Sequence, residues 1–226
     1  MNKKDKVKNI FDSISQRYDF LNHLLSFGVD FYWRHKALKL TGINSGSVLL
    51  DVACGTGDFS IAARKKGVTE IFGADLSKNM LLHFIQKADW INGRLLQSVA
   101  EDLPFKNNSF TNITVAFGVR NFYDIRKGLK EFYRVLQPGG KATILEFQMP
   151  ENFVFRTVYN FYFKNILPVV GKLISKDKEA YTYLPDSVQQ FDKEISLKNI
   201  LEECGFGKVA KYSLTFGIVQ VVIAEK

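Results

Sequence analysis

The apolar positions of the chain fall into short bursts separated by polar or glycine-rich breaks, and the bursts alternate between two periods. Val48-Leu-Leu closed by Asp51 and Glu70-Ile-Phe-Gly-Ala-Asp75 are brief apolar runs, and Arg94 to Val99, Phe110 to Phe117 and Lys141 to Phe147 are further short strands, the last of period-two, apolar character. That is the pattern of parallel strands buried on both faces. Between them, a 3.6-residue period predicts helices from about Asp58, from Ser77 (as cap) to about Ala88, and from Asp124 to Leu136, the last ended by Pro138-Gly139-Gly140. Two further runs, Lys208 to Ser213 and Ile218 to Ala224, joined around Gly217, predict a closing hairpin. Strands alternating with helices predict an α/β fold with a doubly wound, seven-stranded, mostly parallel sheet.

Four helical stretches lie outside this alternation. Residues 5–26 place Val7, Ile10, Phe11, Ile14, Tyr18, Leu21, Leu24 and Leu25 on one helical face, and a second helix is expected from Asp30 to Leu40, stopped by Gly42. Glu151 to Ser175 packs six aromatics between Phe153 and Phe163 beside spaced bases, and a helix from Ser196 to Cys204 ends at Gly205. The chain therefore reads as one domain with an N-terminal helical pair (1–42), a ligand core (47–148), an aromatic helical cover (151–190), and a last helix with the hairpin (196–226).

Candidate chemistry gathers where the first strand breaks. After Asp51, Gly55 and Gly57 form a tight turn at the start of a helix, and bare glycines let a ligand approach the backbone. The next strand ends in Asp75, where a doubly wound sheet places a carboxylate for ribose hydroxyls; the competing reading is a helix cap. A dinucleotide fingerprint asks for a third small Gly or Ala, where this chain has Ser60. A nicotinamide oxidoreductase is therefore the weaker reading. An adenosylmethionine site needs no pyrophosphate cradle, only close backbone and a ribose acid, which Gly55, Thr56, Gly57 and Asp75 supply.

The run Asp51-Val-Ala-Cys-Gly-Thr-Gly-Asp58 followed by Asp75 resembles the cofactor motif of class I, Rossmann-like S-adenosylmethionine-dependent methyltransferases. Tyr18-Asp-Phe-Leu-Asn-His-Leu-Leu-Ser26 through Trp33, Ala100-Glu-Asp-Leu-Pro-Phe105, Phe117-Gly-Val-Arg-Asn121, Arg134-Val-Leu-Gln-Pro-Gly-Gly140 and Tyr183-Leu-Pro-Asp-Ser187 narrow the resemblance to the menaquinone/ubiquinone biosynthesis C-methyltransferases, from about Val7 onward. The resemblance implies S-adenosyl-L-methionine as cofactor, bound by Asp51, Gly55, Thr56, Gly57, Asp75, Leu76, Val99, Ala100, Glu101 and Ala116, with Glu101 or Asp102 beside the adenine. It implies a prenylated quinol as methyl acceptor, either demethylmenaquinol or the methoxybenzoquinol of the ubiquinone route. Arg120, Asn121 and Tyr18 are the expected catalytic residues, Arg120 facing a phenolate and the other two orienting ring or water. The chain departs from the family pattern at Asp30, where a His is expected and no role is assigned, and at Ala116, where a hydroxyl residue is usual.

Composition narrows the remaining classes. In 226 residues, 46% hydrophobic and 24% charged, there is enough apolar material for one substantial core. His23, His35 and His83 are scattered, Cys54 and Cys204 have no metal spacing, and no metal is expected. The reduced cysteines fit a cytoplasmic protein, and Cys54 reads as a buried filler. The lysine-rich start lacks a cleavage site, so no signal peptide is expected. Of the net charge of +8, residues 1–40 hold eight bases against four acids and residues 151–178 five against two. Basic charge set among aromatics in an amphipathic stretch favours peripheral contact with an anionic membrane over nucleic-acid binding; RNA binding or modification and another lipophilic acceptor are the rival readings, and a homodimer is left open.

Overall fold

The computed structural model describes residues 3–166 and 178–226, without the side chains of Lys6, Lys164 and residues 178–184. Helix α1 (Lys3–Ile14), a 3-10 turn (Ser15–Arg17), α2 (Tyr18–Leu25) and α3 (Val29–Thr41) precede β1 (Val48–Val52), α4 (Asp58–Arg64), β2 (Glu70–Asp75), α5 (Lys78–Lys87), β3 (Leu95–Gln97) and β4 (Phe110–Ala116). Helix α6 (Ile125–Val135), β5 (Leu136–Phe147), α7 (Phe153–Phe161), α8 (Lys178–Glu194), α9 (Leu197–Glu203), β6 (Val209–Leu214) and β7 (Val219–Glu225) complete the order. The seven strands lie in the order β3-β2-β1-β4-β5-β7-β6, with β7 antiparallel to both of its neighbours.

Alternation along each strand builds two cores. On β1, Leu50 and Val52 face α6 and α9, packing with Leu129, Phe132, Ile200 and Leu201, while Leu49 faces α3, α4 and α5, packing with Trp33, Leu38, Phe59 and Phe84. Both faces of the central strands are covered, so the polar residues among their apolar ones, such as Asn112, Thr114 and Thr143, are buried as well. Caps set the helix boundaries. Ser77 accepts from Met80 N at the start of α5, Asp124 accepts from Lys127 N at the start of α6, and Gly42 ends α3 at φ +81.

Two expectations are corrected. The helix expected over residues 5–26 is broken at Ser15–Arg17, because Ser13 and Ser15 hydroxyls donate to the Ile10 and Asp12 carbonyls and take acceptors from the helical ladder. Pro138-Gly139-Gly140 does not separate α6 from the next strand; β5 starts directly at Leu136, which pairs with Phe110 across a register shift before Asn112 meets Lys141.

The aromatic cover divides by face. Tyr159 and Phe163 point inward to Ile10 and Leu21, and Tyr162 hydroxyl donates to Leu25 carbonyl at 2.7 Å. Phe153, Val154, Val158 and Phe161 stand exposed. Phe27, 80% exposed at φ +51, lies 6.3 Å from the Tyr162 ring, and exposed Phe216 at φ +55 stacks on Phe155. The part of the basic, aromatic stretch at 167–177 lies outside the described residues.

Candidate active site

The site forms where the sheet changes direction, between β1 and its neighbour β4. Past β1, Ala53 (φ +50) and Gly55 (φ +54) turn the chain, and past β4, Phe117 turns it at φ +56. Left-handed backbone at Ala53 and Phe117 is strain of order 1–3 kcal/mol each, held by the packing around it. The two turns interlock, since a Cβ on Gly118 would stand 2.7 Å from Ala53 Cβ.

A cleft of about 740 Å³ opens over these strand ends. Gly55, Asp75, Leu76, Val99, Ala100, Glu101 and Ala116 line it, as do Tyr18 and Asn121. One carboxylate governs its centre. Asp75 accepts from Gly55 N through Oδ2 and from Ser77 N through Oδ1, both at 2.8 Å. Burial raises its pKa to about 6 against the opposing pull of those amides, and the nearby charge of Asp12 adds to the rise. The cap of the following helix is Ser77, so the Asp75 carboxyl is left at the cleft. Glu101 lines the cleft while accepting from Asp124 N at 3.0 Å; Asp102 is exposed outside it.

Three residues of the glycine motif do other work. Asp51, 1% exposed, accepts from Ser60 N, Ser60 hydroxyl and Thr114 hydroxyl, and burial raises its pKa to about 6. It ties α4 to β1 and β4 beneath the turn. Gly57 has φ +87, and a Cβ there would lie 2.2 Å from the Phe84 ring, so its bareness serves packing; beside Gly55 the nearest atom is on Tyr18 at 3.9 Å. Thr56 hydroxyl donates to Asp19. Cys54 is the expected filler, its thiol pushed up by burial and packed against Gly73.

Arg120 stands behind the cleft wall. Its Nη1 donates to Glu146 Oε1 and Phe117 carbonyl, both at 2.6 Å, and its guanidinium lies 5.7 Å over the Phe147 ring. Glu146, fully buried at the carboxyl end of β5, also accepts from Arg120 N. Sequence reasoning missed Glu146, although a single acid at the tip of an apolar parallel strand was the available signal. The pair leaves Nε of Arg120 without a partner. Burial raises the Tyr18 phenol, opposed by an Asn22 hydrogen bond and by the charge of Arg120.

The cover was missed as well. Lys4, Val7, Lys8 and Phe11 of α1 roof the cleft. Lys3 Nζ donates to Phe122 carbonyl at 2.5 Å and Ser77 hydroxyl to Asp12 at 2.5 Å, closing the roof at both ends. A period-3.6 stripe shows that α1 packs, not on what. Below the turn, Asp30 accepts from His23, Ser26 and Arg34, while Lys87 pairs with Asp19 and Asp58. His23, Asp30 and Asp58 come within ligand distance of a common point, but Arg34 and Lys87 already neutralise those two carboxylates.

Comparisons bear on what occupies such a cleft. The model of the ubiE/COQ5 methyltransferase family matches residues 1–226. The chain is 46% identical over 230 residues to a ubiquinone/menaquinone biosynthesis C-methyltransferase UbiE of Geotalea daltonii, covering 99% of this chain and 97% of that one. It is 41% identical to a demethylmenaquinone methyltransferase of Chlorobaculum tepidum, covering 99% and 93%. Among solved structures, a SAM-dependent methyltransferase from Aquifex aeolicus aligns with TM-score 0.59 at 18% identity over 85% of this chain and 88% of that one. The cyclase SpnF aligns with TM-score 0.65 at 15% identity over 100% and 96%. At these identities the two structures share the fold alone.

Proposed function

The chain belongs to the ubiE/COQ5 methyltransferase family, and from that premise we propose that it methylates a ring carbon of a prenylated quinol with S-adenosylmethionine, converting demethylmenaquinol to menaquinol, with the benzoquinol of the ubiquinone route as a second acceptor. The observation that carries this reading is the convergence of a ribose-competent carboxylate, Asp75, and bare main chain at Gly55 on one cleft that Tyr18 and Asn121 also line. The cleft fits the cofactor. Gly55 offers backbone without a side chain, Asp75 keeps acceptor capacity beyond its two amides, and Leu76, Met80, Val99 and Ala100 offer an apolar slot for a flat base.

When bound, S-adenosylmethionine supplies an activated methyl group. The chain supplies position and dryness: Val7, Phe11 and Phe122 shield the cleft, so polar contacts inside act at low dielectric. A quinol carbon becomes nucleophilic as its hydroxyl loses a proton. In this proposal the Arg120 guanidinium, held behind the cleft wall by Glu146 and the Phe117 carbonyl, acts on the resulting oxygen through its field, while Tyr18 and Asn121, which line the cleft, orient the ring or the water that takes the proton.

The exposed face of Phe27, Phe153, Phe161 and Phe216, with Arg156 beside it, suits an anionic membrane surface from which a prenylated acceptor is drawn. No helix among the described residues is long and apolar enough to cross a membrane. A cytoplasmic, peripheral location is part of the proposal; a homodimer burying the same face would appear as a doubled mass in solution. The test is incubation of the protein with methyl-labelled S-adenosylmethionine and either quinol, reduced or oxidised. Carbon-bound label in the reduced naphthoquinol is the expected result. Label in neither ring, or tight salt-dependent binding to RNA without vesicle binding, would overturn the reading.

A further inference from the structure

Each residue of the bare turn meets a side chain from another element. A Cβ at Gly55 would have the Tyr18 ring as its nearest neighbour, at 3.9 Å, and one at Gly57 would meet the Phe84 ring. Between them, Thr56 hydroxyl donates to Asp19. Tyr18 and Asp19 open α2, and Phe84 lies in the last turn of α5, so the turn is gripped by two helices. The final residue of α5 joins the grip. Lys87 Nζ donates to Asp19 Oδ2 and to Asp58 Oδ1, both at 2.7 Å, and to Thr56 Oγ1 at 3.3 Å. One ammonium thus finds acceptors in α2, at the start of α4 and in the turn itself.

Packing does not require this arrangement. Helix α5 is held by Met80, Leu81 and Phe84, all buried, and its terminal lysine could stay in water at little cost to the helix. Fixing a lysine stem costs side-chain entropy, and an isolated pair between side chains 30% and 28% exposed returns little. What the lysine gains is three partners at once, and what it joins is α2 to the turn. The buried residue of α2, Leu21, packs toward the cover with Ile10, Tyr159 and Phe163. Tyr18 lines the cleft, but its phenol bonds to Asn22 of its own helix and does not tie α2 down. Polar contacts beside it do, Asp19 with Lys87 and Thr56, and His23 Nε2 at 3.8 Å from Asp58.

Resting on the methyl-transfer reading above, we propose that Lys87 is a positioning residue for cofactor binding: by drawing Asp19, Thr56 and Asp58 together it fixes the gap between Tyr18 and Gly55, two of the residues that line the cleft. Lys87 itself does not line the cleft, so its effect reaches a ligand through the placement of Tyr18 over the bare main chain.

The test is a double-mutant cycle in the full chain, Lys87→Met and Tyr18→Ala singly and together, read by calorimetry with adenosylhomocysteine. Lys87→Met should lower the affinity about tenfold in the native background and by no more than about twofold in the Tyr18→Ala background, with Lys87→Arg restoring most of the loss. A lysine that only stabilised the fold would cost the same in both backgrounds. That result, or an unchanged affinity in Lys87→Met, overturns this inference, while binding by the native chain leaves the methyl-transfer reading standing. If Lys87→Met does not fold, Asp19→Asn opens the same clamp from α2 and must show the same loss and the same dependence on Tyr18; a different result, or a second failure to fold, overturns the inference. A native chain that binds no adenosylhomocysteine removes both.

Discussion

In the proposed function ligand binding turns on Asp75, and the environment of this carboxylate makes the prediction sharp. Both oxygens already accept backbone amides at 2.8 Å, so Asp75→Asn places an NH2 group against one of those donors as well as losing the charge. Calorimetry with adenosylhomocysteine should register affinity lowered roughly 10- to 100-fold, the range for a charge-assisted hydrogen bond. With a pKa of about 6, the native affinity should weaken as pH falls below about 6, and that dependence should vanish in the variant. Asp51, with the same pKa, makes a separate prediction for stability. Its folded pKa lies above the unfolded value, so the folded state binds more protons between about pH 4 and 6, and stability from this group falls as pH rises through that window. Relative to the native chain, Asp51→Asn should therefore gain up to about 3 kcal/mol between pH 4 and 7 in urea unfolding, since Asn can still accept from Ser60 and donate to Thr114 hydroxyl. A difference independent of pH would mean that Asp51 is not held in this state.

At the scale of elements, the glycine turn joins a strand, a helix and a roof. Gly57→Ala would force a methyl group to 2.2 Å from the Phe84 ring at φ +87, displacing α5, which supplies Met80 to the cleft and Ser77 to the α1 roof. A loss of about 3 kcal/mol or more is expected in chemical unfolding, the sum of overpacking and left-handed strain. Gly55, beside open cleft space, should instead lose ligand affinity more than stability on substitution by Ala. The strand-turn-helix succession and Asp75 at the tip of β2 were legible because local period and glycine placement depend on neighbours in sequence. The opposite roles of Gly55 and Gly57 were not, since Phe84 and Tyr18 reach them from elements 27 residues later and 37 residues earlier.

Across the whole molecule, exposed Phe27, Phe153, Phe161 and Phe216 come from three separate segments of the chain, Phe27 beside Tyr162 and Phe216 stacked on Phe155. Two of these rings sit at positive φ, a conformation unfavourable for aromatic residues that hydration alone would not reward. Phe27→Ser with Phe153→Ser should lower partitioning of the protein onto anionic phosphatidylglycerol vesicles by roughly 10-fold or more, from the loss of two inserted rings, while leaving turnover on a short-tailed quinol in solution unchanged. Equal sedimentation of the variant and native chains with vesicles would exclude this face as the contact. The stretch Glu151 to Ser175 was legible as amphipathic, yet that Phe27 and Phe216 join its outer face depends on the packing of α2 and of the β6–β7 connection against α7.

Taken alone, the amino-acid sequence determined the α/β alternation, the seven strands, the turn after Asp51 and the carboxylate at Asp75, because period, glycine and strand-end acids are local signals read along the chain. Only tertiary structure decided that Asp51, Thr56 and Gly57 support the turn without lining the cleft, that Glu146 neutralises Arg120, that α1 roofs the site, and that Tyr159 faces inward, stacked on Phe163. These are contacts between segments far apart in sequence, and no local pattern encodes which buried carboxylate, ring or amide a side chain will meet once the sheet has closed.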